Sequence, residues 1–295
     1  MTQDNTAPDG EASRRIVAGV DSSDNAARAA AWAAREADDR GLALHLVHAL
    51  DLPGPLGMII EPIGYAQSRR KEARALLDRI AAGLREQHPA VTVTTEVSEI
   101  SAAQTLVTLS ESADLVVTGT RGHGGFAGML LGSVSHALAA HAHCPAVVVR
   151  GEEPGPALSE IVLGVGPNQS QEPIRFAFAS AAELDAAVTA VRAWQPPSAD
   201  DGYYHVIDIP KVEQQQAADL TDTLKDAKTQ YPDVKVTERV LRGNPVAVLM
   251  NASTGSRLLV VGAHRRRRAM LTGTGYVPQG LISHSPTPVA VVPIA

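Results

Sequence analysis

A chain of 295 residues is long enough for two domains of ordinary size, and with 44% apolar but only 3% aromatic side chains its cores must be built from Ala, Val, Leu and Ile. A formal charge of −6 speaks against a general nucleic-acid binder, and a single cysteine, Cys144, excludes an internal disulfide and fits a reducing compartment. No apolar stretch approaches the roughly 20 residues that span a bilayer, and Met1 to Ser13 lacks the basic-then-apolar order of a signal peptide, so a disordered tail on a soluble, cytoplasmic protein is expected.

Arg15-Ile16-Val17-Ala18-Gly19-Val20-Asp21 reads as a short buried strand that runs into a polar turn, Ser22-Ser23-Asp24. An alanine-rich helix follows from about Asn25 to Arg40, capped by Ser23 or Asp24 and ended by Gly41. Leu42 to Ala49 is a second strand. Asp51 to Gly64 holds three prolines and three glycines and is a long loop, of a length that often carries function. A helix from about Ala66 to Gln87, a strand Val91–Val97 and a helix Ala102–Ser112 come next, then the strand Asp114-Leu115-Val116-Val117-Thr118. After a glycine loop, a helix runs from Ser133 to about His141, and His143-Cys144-Pro145 turns the chain into a last strand, Ala146 to Arg150. This alternation predicts an α/β fold with a doubly wound parallel sheet and right-handed crossovers.

The loop carries the chemistry. Gly119-Thr120-Arg121-Gly122, nine residues, then Gly132-Ser133 lie between a strand and a helix. Glycines let backbone approach an anion closely. Ser133 and the first N–H groups of its helix add donors and a positive dipole end, which together make a phosphate cradle. The histidines at 45, 48, 136, 141 and 143 form no metal constellation, and Cys144 reads as a small packed side chain.

Gly151 to Pro156 is a linker by composition, separating a domain over 14–150 from a second over 158–295. Arg15-Ile16-Val17-Ala18-Gly19-Val20 aligns with Glu160-Ile161-Val162-Leu163-Gly164-Val165 at an offset of 145, and Ala49 with Trp194 at the same offset. Gly119 aligns with Gly262, Gly132 with Gly275 and Pro145 with Pro288, each at 143, which places a two-residue loss between the second and third strands of a duplicated domain.

These residues resemble the universal stress protein family in its tandem, actinobacterial form. The features that carry the resemblance are Val17-Ala18-Gly19-Val20-Asp21-Ser22-Ser23, Leu46-Val47-His48-Ala49 and Gly119-x2-Gly122-x9-Gly132-Ser133, the last matching the family's ATP-binding signature. The resemblance implies two domains, each a five-stranded parallel sheet in order 3-2-1-4-5 with flanking helices. It also implies ATP with Mg2+ held across the carboxyl ends of the first and fourth strands, and dimerisation through the last strand. In that placement Asp21 accepts from ribose hydroxyls, Gly19, Val20 and Ala49 frame the adenine, and Thr118 and Gly119 pass beside the ribose. Gly122, His123, Gly132, Ser133, Val134 and Ser135 meet the phosphates. From the residues alone, Asp21 also fits a simple helix-initiating turn, and His123 a solvated loop residue.

The second copy departs from the motif. Gly166 replaces Asp21, Trp194 at the Ala49 position would fill the adenine space, Arg265 replaces the second glycine and Tyr276 the serine. Gly164, Gly262, Arg265 and Gly275 therefore mark at most a weaker second site. Arg265 to Arg268 reads either as an anion site or as a solvated loop or salt-bridging partner for acidic helices.

Three functions follow: a nucleotide-dependent regulator of stress or growth state, a slow ATPase or nucleotidyl-transferring enzyme, and an interaction protein whose site has lapsed. Phosphoryl transfer needs a charge clamp and a group that positions the nucleophile. The loop has no Gly-Lys-Ser/Thr and no Asp or Glu between Gly119 and Ser133, which favours binding with little or no hydrolysis. A dinucleotide dehydrogenase would need a glycine fingerprint after the first strand, where Asp21-Ser22-Ser23 stands instead. The expected partners are an adenine nucleotide, a signalling partner that the residues do not name, and a second copy of the chain. The apolar last strands, Ala146-Val147-Val148-Val149 and Val289-Ala290-Val291-Val292, would be covered by pairing between the halves or between chains; neither nucleic acid nor membrane is expected.

Overall fold

The computed structural model describes residues 14–51, 64–122, 131–150, 159–196, 208–264 and 276–294. The tail before Arg14, most of the Asp51–Gly64 loop, the linker, His123, Arg265 to Arg268 and Gly275 lie outside the described residues. The first half runs β1 (Arg15–Gly19), α1 (Asp24–Arg40), β2 (Ala43–Ala49), α2 (Tyr65–Gln87), β3 (Val93–Ser98), α3 (Ala102–Leu109), β4 (Leu115–Gly119), α4 (Ser133–His141) and β5 (Ala146–Val149). The second repeats it as β6 (Glu160–Gly164), α5 (Gln171–Glu183), β7 (Ala187–Trp194), α6 (Ile209–Gln230), β8 (Val236–Arg242), α7 (Pro245–Ala252), β9 (Leu258–His264), α8 (Tyr276–His284) and β10 (Val289–Ile294).

The central strands are apolar on both faces because helices cover both. Ile16, Val17 and Ala18 of β1 and Ile161, Val162 and Leu163 of β6 are fully buried. α1 starts where the Ser23 side chain accepts from the Ala26 N–H. Its alanines at 26, 29, 30, 33, 34 and 37 are buried, the thin face that lets the helix lie close on the sheet. One apolar layer, continuous through both domains, gathers α1, α2, α5 and α6. The opposite face is covered by α3, α4, α7 and α8.

The strand order is β3-β2-β1-β4-β5-β10-β9-β6-β7-β8, so each domain has the order 3-2-1-4-5 and the two are joined edge to edge. Pairs within a domain are parallel, and the seam between β5 and β10 is antiparallel, with Val148 opposite Val289, Val147 opposite Ala290 and Ala146 opposite Val291. This corrects the expectation of a homodimer through the final strands. Both hydrogen-bonding sides of β5 and β10 are used inside one chain, so neither strand offers an edge to a second copy.

A charged cluster closes the seam on the α1 side. Glu36, 1% exposed, accepts from Arg40 Nε at 2.8 Å and from Arg257 Nη2 at 2.7 Å. Arg257 also reaches Asp39, and Arg40 reaches Glu183 at 2.9 Å and Ser180 at 3.1 Å across the domain boundary. Burial pulls the Arg257 value down, but Glu36 and Asp39 outweigh it and hold it above the ordinary arginine range.

Cys144 is a buried free thiol, as its turn position predicts, and burial pushes its pKa up to about 12. At pH 8 only about one thiol in ten thousand would be ionised on that value, so iodoacetamide should label the native chain very slowly and the urea-unfolded chain at an ordinary rate. Because the folded value lies above the unfolded one, the folded state holds this proton more tightly. Its contribution to stability is complete below the ordinary thiol pKa and is lost as pH rises towards about 12. Rapid native labelling at pH 8 would contradict this placement.

Candidate nucleotide site

β1 pairs with β2 on one side and β4 on the other, so the crevice of the first domain opens where these strands end. A cavity of about 650 Å³ lies there. Gly19, Val20, Asp21, Ala49, Thr118, Gly119, Gly122, Gly132, Ser133, Val134 and Ser135 all line it, which is every expected residue of the first site that is described. His123 lies outside the described residues.

The loop is held by its own backbone. The Gly132 N–H donates to the Thr120 carbonyl at 2.7 Å and the Asn25 side-chain amide donates to the Arg121 carbonyl at 3.2 Å, which fixes both flanks of the loop. Ser135, expected at the phosphates, is 1% exposed and donates its hydroxyl to the Gly119 carbonyl at 2.7 Å, so it also braces β4 against α4. Gly119 is required by close approach: a Cβ there would come within 2.7 Å of the Asn25 carbonyl oxygen. Gly122 is required by the site itself, since its Cβ would overlap Asp21 Oδ2.

Asp21 makes the helix-initiating turn and also reaches the cavity wall. Its Oδ1 accepts the Ser23 N–H at 2.9 Å, an Asx turn that starts α1, while Oδ2 lies against Gly122 at the cavity wall. His48 donates from Nδ1 to the Val20 carbonyl at 2.8 Å, because a carbonyl can only accept, and thereby ties β2 to the end of β1. Arg69 of α2 and Thr105 and Leu106 of α3 also line the cavity, as does Arg121. None of the first three stands out in the sequence. Arg69 belongs to the basic run Arg69-Arg70-Lys71 of an amphipathic helix, and the turn that aims it at the crevice has no local signature.

The profile of the universal stress protein family matches residues 12–150 and again 158–293. The chain belongs to the universal stress protein family. Among its relatives, a universal stress protein of Mycobacterium tuberculosis is 32% identical over 294 residues, covering 96% of this chain and 97% of the relative. One of Mycolicibacterium smegmatis is 32% identical over 294 residues, covering 94% and 96%. Among solved structures, a universal stress protein from Archaeoglobus fulgidus superposes with a TM-score of 0.68 at 15% identity, covering 95% of this chain and 98% of that one, a likeness of fold.

Within this tandem universal stress protein, strand register corrects one alignment. Gly19 faces Val47 in β2, and Gly164 faces Val191 in β7. The offset between copies is thus 145 on the first strand and 144 on the second. Ala193, not Trp194, stands at the Ala49 position; Trp194 matches Leu50, and Arg192 matches His48. The two lost residues are separate, one before β7 and one before β8, where Leu44 faces Val93 and Val188 faces Val236. The expectation that Trp194 stands at the Ala49 position fails with that register; it stands instead at the position of Leu50, which also lines the cavity of the first domain.

The other departures of the second copy take these forms. The Gly166 N–H donates to Gln169 Oε1 at 3.0 Å. Gly164 ends β6, where a Cβ would come within 3.0 Å of both Leu249 and Val261, and Gly262 sits in β9 opposite Val292. Tyr276 begins α8 at 70% exposure, its hydroxyl accepting from Asn244 at 3.3 Å. Arg265 and Gly275 lie outside the described residues.

Proposed function

We propose that the first domain binds one adenine nucleotide, ATP, and that occupancy of this site regulates the protein, with little or no hydrolysis. One observation carries the reading: residues from β1, β2, β4, the glycine loop and α4 converge on a single cavity of about 650 Å³, a volume suited to a ligand of nucleotide size. An acceptor at one part of the wall, Asp21, suits the two donors of a ribose diol. The helix start at Gly132 and Ser133, with Arg69 and Arg121 also on the wall, suits phosphate oxygens.

Among the described residues no group of three His, Cys, Asp or Glu side chains could hold a metal, so Mg2+ would arrive on the phosphates, with Asp21 and Asp51 the carboxylates on the wall. Among the described residues the lining offers no lysine clamp, and in this reading Asp21 is given to the ribose, which favours binding over hydrolysis. Among the described residues no helix is long and apolar enough to cross a membrane.

The test is direct. Denatured purified protein should release adenine nucleotide, and calorimetry on nucleotide-free protein should give one site per chain. Asp21→Ala should weaken ATP about 10- to 150-fold, the loss of a charge-assisted contact. Neither release nor heat would overturn the reading, two nucleotides per chain would overturn its one-site form, and sustained ADP production would favour an enzyme.

A further inference from the structure

The crevice of the second domain has the same topology as the first but the opposite polarity. In the first domain His48 and Leu50 line the cavity together with the acceptor Asp21. By register their counterparts are Arg192 and Trp194, and Gly166 removes the carboxylate. Arg192 is 4% exposed and Trp194 is 8% exposed, on the same side of β7 as the apolar Val188 and Ala190.

These side chains are only partly satisfied. Arg192 Nη2 donates to the Gly166 carbonyl at 3.0 Å, and Nη1 lies 3.7 Å from the half-exposed Asp219, yet Nε is buried with no hydrogen-bond partner. Trp194 Nε1 is buried and without a partner as well. Gln169 is fixed in orientation because its Oε1 accepts the Gly166 N–H, which leaves Nε2 as the donor, again buried without a partner. Arg192 and Gln169 are thus both anchored on Gly166, and Nε2 sits beside Gly262 at the switch between β6 and β9. All three unmet groups are donors. Leaving buried donors unmet is costly, and a group rich in acceptors would answer them.

We infer that the second domain carries a separate site for a small oxyanion, a carboxylate or phosphoryl group, held by Arg192, Gln169 and Trp194. The crevice that reads hydroxyl donors in one domain reads acceptors in the other. The site departs from the nucleotide motif and would take a ligand without any need for a ribose.

The chain contains two tryptophans, so Trp32→Phe leaves Trp194 as the reporter. Inorganic phosphate and acetate are titrated separately into this chain at an ionic strength fixed with chloride. A saturable change in Trp194 emission is expected. Saturation by phosphate assigns a phosphoryl ligand and by acetate a carboxylate. Arg192→Met and Gln169→Leu, checked for native circular dichroism, should each weaken the response at least about tenfold. No saturable change with either anion, or one unaltered in both variants, overturns the proposal and leaves ordered water as the partner of these donors. As a second measurement free of Trp32→Phe, equilibrium dialysis of labelled phosphate and labelled acetate should show one more anion site in the unaltered chain than in Arg192→Met; equal counts for both anions would overturn it.

Discussion

Gly122→Glu is expected to abolish nucleotide binding while the chain stays folded. Any Cβ at this position overlaps Asp21 Oδ2, so the carboxylate must swing out of the cavity wall. Losing a charge-assisted contact costs about 1.5–3 kcal/mol. A glutamate adds a negative charge where phosphates would approach, which raises the cost further. Binding weaker by at least about 100-fold is expected in calorimetry, with far-ultraviolet circular dichroism unchanged. Gly122→Ala, which displaces Asp21 without adding charge, should fall between. Wild-type affinity in the glutamate variant would mean that the ligand does not pass this loop at all.

The second large effect lies at the other end of α1. Glu36→Ala is expected to destabilise the chain by up to about 3 kcal/mol, because it removes the one fully buried carboxylate of the cluster and leaves Arg257 only the half-exposed Asp39 and Arg40 only the half-exposed Glu183. Arg40 and Arg257 would then face each other at side-chain exposures of 8% and 17%. Arg257 belongs to the second domain and Glu36 to the first, so the loss should also uncouple their unfolding. Urea denaturation followed by circular dichroism and by tryptophan emission, one tryptophan in each domain, should give coincident curves for the unaltered chain and separated curves for the variant. Coincident, unshifted curves in Glu36→Ala would show that the seam between β5 and β10 holds the domains together without this cluster.

The fold was legible in the sequence because each layer repeated one message. Continuous apolar runs such as Ile16-Val17-Ala18 alternate with alanine-rich helices, and each domain returns to the same order. The lining of the first crevice was legible for a related reason: backbone conformation and close approach are written in glycines, and both Gly119 and Gly122 meet atoms where a Cβ would sit. Long-range placement left no such trace. Arg69 reaches the cavity from α2, and Arg257 finds Glu36 in another domain, 221 residues away in the chain. The register of β7 was misread by one residue because Ala190-Val191-Arg192-Ala193-Trp194 has no polar alternation to fix it.

The antiparallel seam between β5 and β10 also bears on how the two sites can change. In a homodimer joined through such strands, one gene would encode both crevices, and every substitution would strike them together. Here the partners are covalently linked, at an effective concentration on the order of millimolar whatever the abundance of the chain. Dilution cannot part them, and each crevice mutates alone. The exchange of Asp21 for Gly166 and of His48 for Arg192 is a divergence that a homodimer could not keep, since in a fused pair one crevice can change while the other does not.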